Sequence, residues 1–241
     1  MSRVGGLERL DVRVAEKAYP SATGAPVVVL RDLSFGLDAG EVGALVGPSG
    51  CGKSTLLRLI AGLDADFAGS VTRPARGRLG MVFQEPRLLP WRSVIDNLRI
   101  AAPMAESAAL DALLDAFHLS AHRDHYPGEL SGGLARRVAL ARAFAVKPEL
   151  LLLDEPFVSL DAALAARLRA ELIAIVERSP VTTLLVTHDL DEAIALADRL
   201  ILLSGQPARV AANIAIPQPR GERSPAMIAE IRARALARLG D

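Results

Sequence analysis

The stretch Gly47-Pro48-Ser49-Gly50-Cys51-Gly52-Lys53-Ser54-Thr55 fits the pattern glycine, any four residues, glycine, lysine, serine, a spacing whose chemistry is phosphate binding. Its glycines let backbone N–H groups curl around phosphate oxygens, and the helix that follows points its positive end at them. Lys53 supplies a point charge for the β and γ phosphates, and the Ser54 hydroxyl is placed to ligate Mg²⁺. Further along, Leu150 to Leu153 run into Asp154-Glu155-Pro156, so two carboxylates close an apolar run. Asp154 is expected to hold Mg²⁺ through its water shell. Glu155 is expected to orient the water that attacks the γ phosphate, or to take its proton. Between these segments, Leu130-Ser131-Gly132-Gly133-Leu134 offers another hydroxyl and more backbone N–H groups at a helix start, a second anion-seeking arrangement. Cys51 reads either as a reactive thiol beside a helix N-terminus, whose alkylation would block nucleotide binding, or as an inert small filler.

Elements of the right kind surround these residues. Val27 to Leu30 and Glu41 to Val46 read as β segments, the second leading straight into the glycine loop. Leu56, Leu57, Leu59 and Ile60 then make a helical face that Gly62 ends. Leu79 to Phe83, Leu150 to Asp154, Thr182 to Thr187 and Leu200 to Leu203 are further strand-length runs, with helical patterns over Ala162 to Arg178 and Leu190 to Asp198. This alternation predicts an α/β fold with a mainly parallel sheet flanked by helices. From about Arg87 to Val146 the apolar spacing is helical instead, through Leu110, Leu113, Leu114 and Phe117 and again through Val138, Leu140, Ala141 and Phe144. An inserted helical subdomain is expected there. Ser224-Pro225 opens a last helix with an apolar stripe of Ile228, Ile231, Ala235 and Leu239; Arg232, Arg234 and Arg238 lie off that stripe, on a solvated face or one that meets lipid headgroups or a partner.

Composition narrows the partners. The 241 residues, 51% of them hydrophobic, can build a sizeable core, and a formal net charge of zero removes the basic excess of a general nucleic-acid binder. One cysteine excludes an internal disulfide and agrees with a reducing compartment. No secretory signal is expected in Met1 to Leu10, and no run is long and apolar enough to cross a bilayer. His118, His122 and His125 have metal-like spacing on a continuous helix, but Pro127-Gly128 and the absence of a nearby cysteine argue for helix-terminal histidines.

Together these motifs, in this order, resemble the ATP-binding cassette family, over about Tyr19 to Leu203. The resemblance implies a P-loop NTPase core with an N-terminal antiparallel β part. It implies one domain over 1–241, with 1–86 and 148–223 as nucleotide-binding core, 87–147 as the helical and signature subdomain and 224–241 as a terminal helix. By the same resemblance Gln84 is the Q-loop glutamine that senses Mg²⁺ and the attacking water, Ser159-Leu160-Asp161 the D-loop, His188 the switch histidine at the γ phosphate, and Tyr19 the counterpart of the adenine-stacking aromatic, a residue that could equally pack on the core. Ser131, Gly132 and Gly133 are the signature, which in the family closes over ATP held by Lys53 of a second copy, or of a related ATPase. Leu134 stands where the family usually has Gln, so altered dimer affinity or turnover is expected. Arg136, Arg137 and Arg142 follow the family's basic helix, with surface or salt-bridging roles expected for at least two.

Gln84 to Trp91 with Val94 to Asn97 is similar to importer ATPases for nitrate, alkanesulfonates and taurine. That implies ATP and Mg²⁺ as cofactors, a membrane permease contacted near Trp91 unless Trp91 is a core residue, a periplasmic or surface solute-binding protein reached through the permease, and a peripheral place on the cytoplasmic face of the inner membrane. Ser131 to Arg137 also resembles lipid-trafficking ATPases, and a soluble cassette acting on DNA or ribosomes is a further alternative. Against the last, only 78 residues separate Lys53 from Ser131, too few for the long coiled coil of repair types. A P-loop kinase would leave the signature, D-loop and switch histidine unexplained.

Overall fold

The computed structural model describes residues 9–22, 24–74, 77–158, 160–178 and 181–239. In chain order these form β1 (Leu10–Tyr19), β2 (Val27–Leu37), β3 (Val42–Val46), α1 (Lys53–Ala61), β4 (Ala68–Thr72), β5 (Leu79–Val82), α2 (Val94–Ala101) and α3 (Ser107–Ala116). There follow α4 (Gly132–Ala145), β6 (Leu150–Asp154), α5 (Ala162–Arg178), β7 (Thr182–Thr187), α6 (Leu190–Leu196), β8 (Arg199–Ser204), β9 (Arg209–Ala215) and α7 (Pro225–Leu239). They fall into two compact units, Met1–Gly77 with Pro180–Asp241, and Arg78–Ser179.

In the first unit β3 lies between β7 and β8, parallel to both, and β9 runs antiparallel along β8. Every residue of β3 and β7 is buried, as strands covered on both faces must be. Helices α6 and α7 pack on this sheet. A separate antiparallel sheet has β1 in its centre, between β2 and β4. The two sheets touch where Leu30 bridges Ala208, with the Arg31 N–H donating to Ala208 O at 3.0 Å. Strands β1, β4 and β9 were not foreseen segment by segment, and β2 extends well past Leu30. Conversely α6 stops at Leu196, because Asp198 turns away to accept the Val42 N–H at 2.9 Å and to pair with Arg220 at 2.6 Å.

A charged cluster holds the end of β1. Lys17, only 2% exposed, donates to Asp64 at 3.0 Å and to Asp66 O at 2.5 Å, and the Tyr19 hydroxyl donates to Asp64 at 3.2 Å. The hydrogen bond from Lys17 holds the Asp64 carboxyl below its ordinary value. A depressed carboxylate contributes stability fully above about pH 4 and loses it as pH falls through the folded value. Asp64→Asn takes the nearer carboxylate from the buried Lys17 ammonium, leaving it Asp66 O and the Asp66 carboxylate at 3.6 Å, and is expected to cost about 2 kcal/mol, lowering the melting temperature at neutral pH by roughly 4–8 °C. A melt unchanged from the native chain would contradict that.

In the second unit β5 and β6 pair in parallel, Val82 opposite Leu153. Residues Leu150 to Leu153 are fully buried. Between Arg87 and Lys147 the described elements are helical. Helix α4 packs against α2, α3 and β5, and its burial is nearly continuous from Arg136 to Ala145. At the other end of the chain, Ile231 and Ala235 of α7 are buried as the stripe predicts, while Arg232 of its basic face pairs with Asp191 of α6.

Candidate functional site

The glycine loop lies in the first unit. Gly50 (φ 76°) and Gly52 (φ 110°) occupy left-handed conformations that side chains rarely adopt, and a Cβ on Gly52 would meet Val29 and Leu30 within 3 Å. Gly47 is buried, Pro48, Ser49 and Gly50 are exposed, and Lys53 folds back so that its ammonium donates to Gly47 O at 2.8 Å and Pro48 O at 2.9 Å. Two of its three hydrogens are thus spent on the loop it serves, which fixes the charge within the curl. Helix α1 begins at Lys53 with no side-chain cap and no acidic residue in its own first turn, so the helix itself sets no carboxylate against its positive end. Backbone, charge and shape therefore fit a polyphosphate. Ser54 is exposed in that first turn and Thr55 half-buried. At the far end Gly62 (φ 74°) ends α1, with the Leu63 N–H returning to Arg58 O at 2.9 Å.

Cys51 is 2% exposed, in the space a Cβ on Gly47 would claim. Burial favours the filler reading over the reactive thiol. Val46 and Thr187 are partners across β3 and β7, so Gly47 and His188 each leave the sheet as the next residue along neighbouring strands. His188 is exposed there, and Asp189 behind it caps α6 by accepting the Asp191 and Glu192 N–H groups. Tyr19 ends β1 opposite Val27, half-buried, its phenol tied to Asp64 and its ring 4.6 Å from the Lys17 ammonium.

The remaining residues lie in the second unit. Because Val82 and Leu153 are paired, Gln84 on one strand and Asp154 and Glu155 on the other leave the carboxyl edge of a parallel pair together, where ligands of such sheets bind. Glu155 has φ 45°, a left-handed conformation that a non-glycine residue holds only when its surroundings impose it. The turn after it is closed by the Val158 N–H to Glu155 O at 3.3 Å. Ser131 caps α4, its Oγ accepting the Leu134 N–H at 3.3 Å, which leaves the hydroxyl hydrogen to donate elsewhere. Ser131 and Gly132 are exposed; Gly133 is buried, and a Cβ there would meet Leu164 at 2.5 Å. That contact brings the start of α4 to the start of α5, where the exposed Asp161 accepts the Leu164 N–H at 2.9 Å. Ser159 lies outside the described residues.

Three residues matter more than their types announced. Arg136, 5% exposed, donates to Phe83 O at 3.1 Å, to Gln84 O and to Val158 O at 3.4 Å. Arg142 donates to Pro86 O and Arg87 O, both at 2.8 Å. Burial pushes both guanidinium groups below their ordinary value. Arg137 forms a salt bridge to Glu171 at 2.9 Å and Arg142 is half-exposed, whereas Arg136 is buried on backbone carbonyls. Asn97, 1% exposed, binds the loop ahead of α2, accepting the Leu89 N–H at 2.8 Å and donating toward the carbonyls of Leu89, Arg92 and Ser93. That loop displays Trp91 at 69% exposure, so Trp91 is not a core residue. His118 has φ 54° just past α3, while His122 and His125 meet Nδ1 to Nδ1 at 3.1 Å beyond it, so no continuous helix carries the three.

This chain is similar to known proteins over most of its length. A family model described as ABC transporter matches residues 30–158. An aliphatic sulfonates import ATP-binding protein, SsuB 2, of Burkholderia cenocepacia is 44% identical over 92% of this chain and 84% of its own length. Its namesake in Pseudomonas syringae pv. tomato is 42% identical over 95% and 97%. A Bacillus licheniformis protein called SsuB is 41% identical over 90% and 89%. Among solved structures, a dimeric ATP-binding cassette, MJ0796, in a post-hydrolysis state bound to ADP and Pi superposes with a TM-score of 0.75 at 26% identity, covering 87% of this chain and 99% of that one. With the family model matching more than half of its length and relatives above 40% identity matching nine-tenths of it, this chain belongs to the ABC transporter family.

Proposed function

We propose that this chain is the ATP-hydrolysing subunit of an importer for alkanesulfonates or a similar small solute such as taurine or nitrate, working as a dimer on a membrane permease from the cytoplasmic face of the inner membrane. The observation that carries the solute class is the 41–44% identity, over at least 90% of the chain, to proteins named for aliphatic sulfonate import. Those names do not favour the lipid-trafficking or soluble alternatives. Among the described residues no helix is long and apolar enough to cross a membrane.

Each residue's role follows from its chemistry. Lys53 and the backbone of Gly47 to Gly52 hold the phosphates of ATP, and Tyr19 offers a ring to the base. Ser54, Gln84 and Asp154 supply the hard oxygen donors that suit Mg²⁺, which when bound would neutralise charge on the phosphates. Glu155 takes or orients the proton of the attacking water, with His188 at the γ phosphate. Ser131, Gly132 and Gly133 of one copy, with Asp161 beside them, close over the ATP on Lys53 of the other. A solute-binding protein delivers cargo to the far side of the permease. Trp91, exposed on a loop locked by Asn97, anchors the permease contact, since large aromatics dominate such interfaces.

Isolation of the tagged chain from native membranes in mild detergent, followed by mass spectrometry, tests this. A small permease and a solute-binding protein that binds alkanesulfonates are expected, and Trp91→Ala should weaken retention of the permease by about 30-fold. Recovery with lipid-handling proteins, or only with ribosomes or DNA, would contradict the reading.

A further inference from the structure

Arg136 sits in the second turn of α4, the helix whose first residues are the signature glycines. Its guanidinium reaches two separate loops at once. One nitrogen serves Phe83 O and Gln84 O, in the segment that carries Gln84; the other reaches Val158 O, in the residue that closes the turn begun by Glu155. Among the described residues no carboxylate is paired with Arg136. A cation 5% exposed is being used to hold backbone oxygens, and its Nε is left without a hydrogen-bond partner. Such a group is costly to bury, and the contacts it makes are the ones that fix where two reactive side chains start. Arg142, nearly two turns further along the helix, donates to Pro86 O and Arg87 O, both in the segment after Gln84.

We propose that Arg136 is a positioning residue that links the seating of the signature on the partner copy's ATP to the placement of Gln84 and Glu155 in its own copy. The inference rests on the sandwich reading given above. A helix moves as a rod. When Ser131 and Gly133 engage a phosphate, α4 shifts as one body, and through Arg136 the same displacement reaches both the Gln84 backbone and the turn behind Glu155. Neither loop then responds to the signature alone. Displacements well below 1 Å at Glu155 are enough to matter, because misplacing a reacting group by about 1 Å costs on the order of 100-fold in rate.

The test uses the full-length chain with Arg136→Met, which fills similar space without donors, and Arg136→Lys, which keeps the charge but cannot span both loops. Arg136→Met is expected to lower kcat for ATP about 10- to 100-fold with KM changed by less than about twofold, since the phosphate loop is untouched; Arg136→Lys should recover part of the loss. An unchanged kcat, a change confined to KM, or a fall matched by loss of folded protein in both variants would overturn the proposal, the last assigning Arg136 to the fold. Trapping of an ATP-bound dimer by Glu155→Gln tells loss of the sandwich from loss of the Arg136 link. No trapped dimer in that variant would remove the sandwich itself, whereas a trapped dimer beside a native kcat in Arg136→Met would remove only the link.

Discussion

Replacing Glu155 with Gln is expected to cut ATP turnover by about 100- to 1000-fold while leaving ATP binding intact. The two side chains share shape and length, so the left-handed turn at residue 155 and its closing bond from Val158 are retained. What disappears is the ability to accept a proton. If hydrolysis follows closure of two copies over ATP, removing the base halts the cycle after closure, and the variant accumulates as an ATP-bound dimer. Steady-state phosphate release and light scattering with and without ATP measure the two halves of this expectation. Turnover within about threefold of native would move the base elsewhere.

The second large effect is at Lys53. Lys53→Ala is expected to weaken ATP binding by about 100-fold, the scale of removing one partner from a desolvated charge pair. Two losses combine. The ammonium no longer meets phosphate, and the Gly47 and Pro48 carbonyls it now satisfies turn into bare acceptors facing an anion. Binding of a fluorescent ATP analogue to the variant reads the change directly. Affinity close to native would contradict the placement of phosphate in the loop. Unlike Glu155→Gln, this variant should fail to form the ATP-dependent dimer at all, and the contrast tells a binding defect from a chemical one.

Much of this was legible in the sequence because burial on both faces erases alternation. Leu150 to Leu153 and Thr182 to Thr187 read as continuous apolar runs, and both are buried strands of parallel pairings. The glycine loop was equally plain, since a strand before it and a helix after it leave few conformations for the turn. Strand β1 was obscured at its end, where buried Lys17 stands in the place of an apolar residue and a bulge follows between Lys17 and Ala18. The mostly exposed β4, with a glycine as its second residue, gave no apolar pattern at all. In the site, reactive side chains declare themselves by type, but the groups that hold them do not. Arg136 and Arg142 bind backbone carbonyls more than 50 residues away in sequence, and a carbonyl leaves no mark on residue identity. Asn97 likewise looks like a polar break in α2 until the loop it satisfies is in view.

Whether this chain spends ATP to drive a permease is decided by ATP hydrolysis in the co-isolated permease complex reconstituted in liposomes, native chain against Glu155→Gln. Sustained hydrolysis by the native complex, raised further by solute-loaded binding protein, is expected, with background rates for the variant. Equal rates in the two, or no hydrolysis in either, would contradict it.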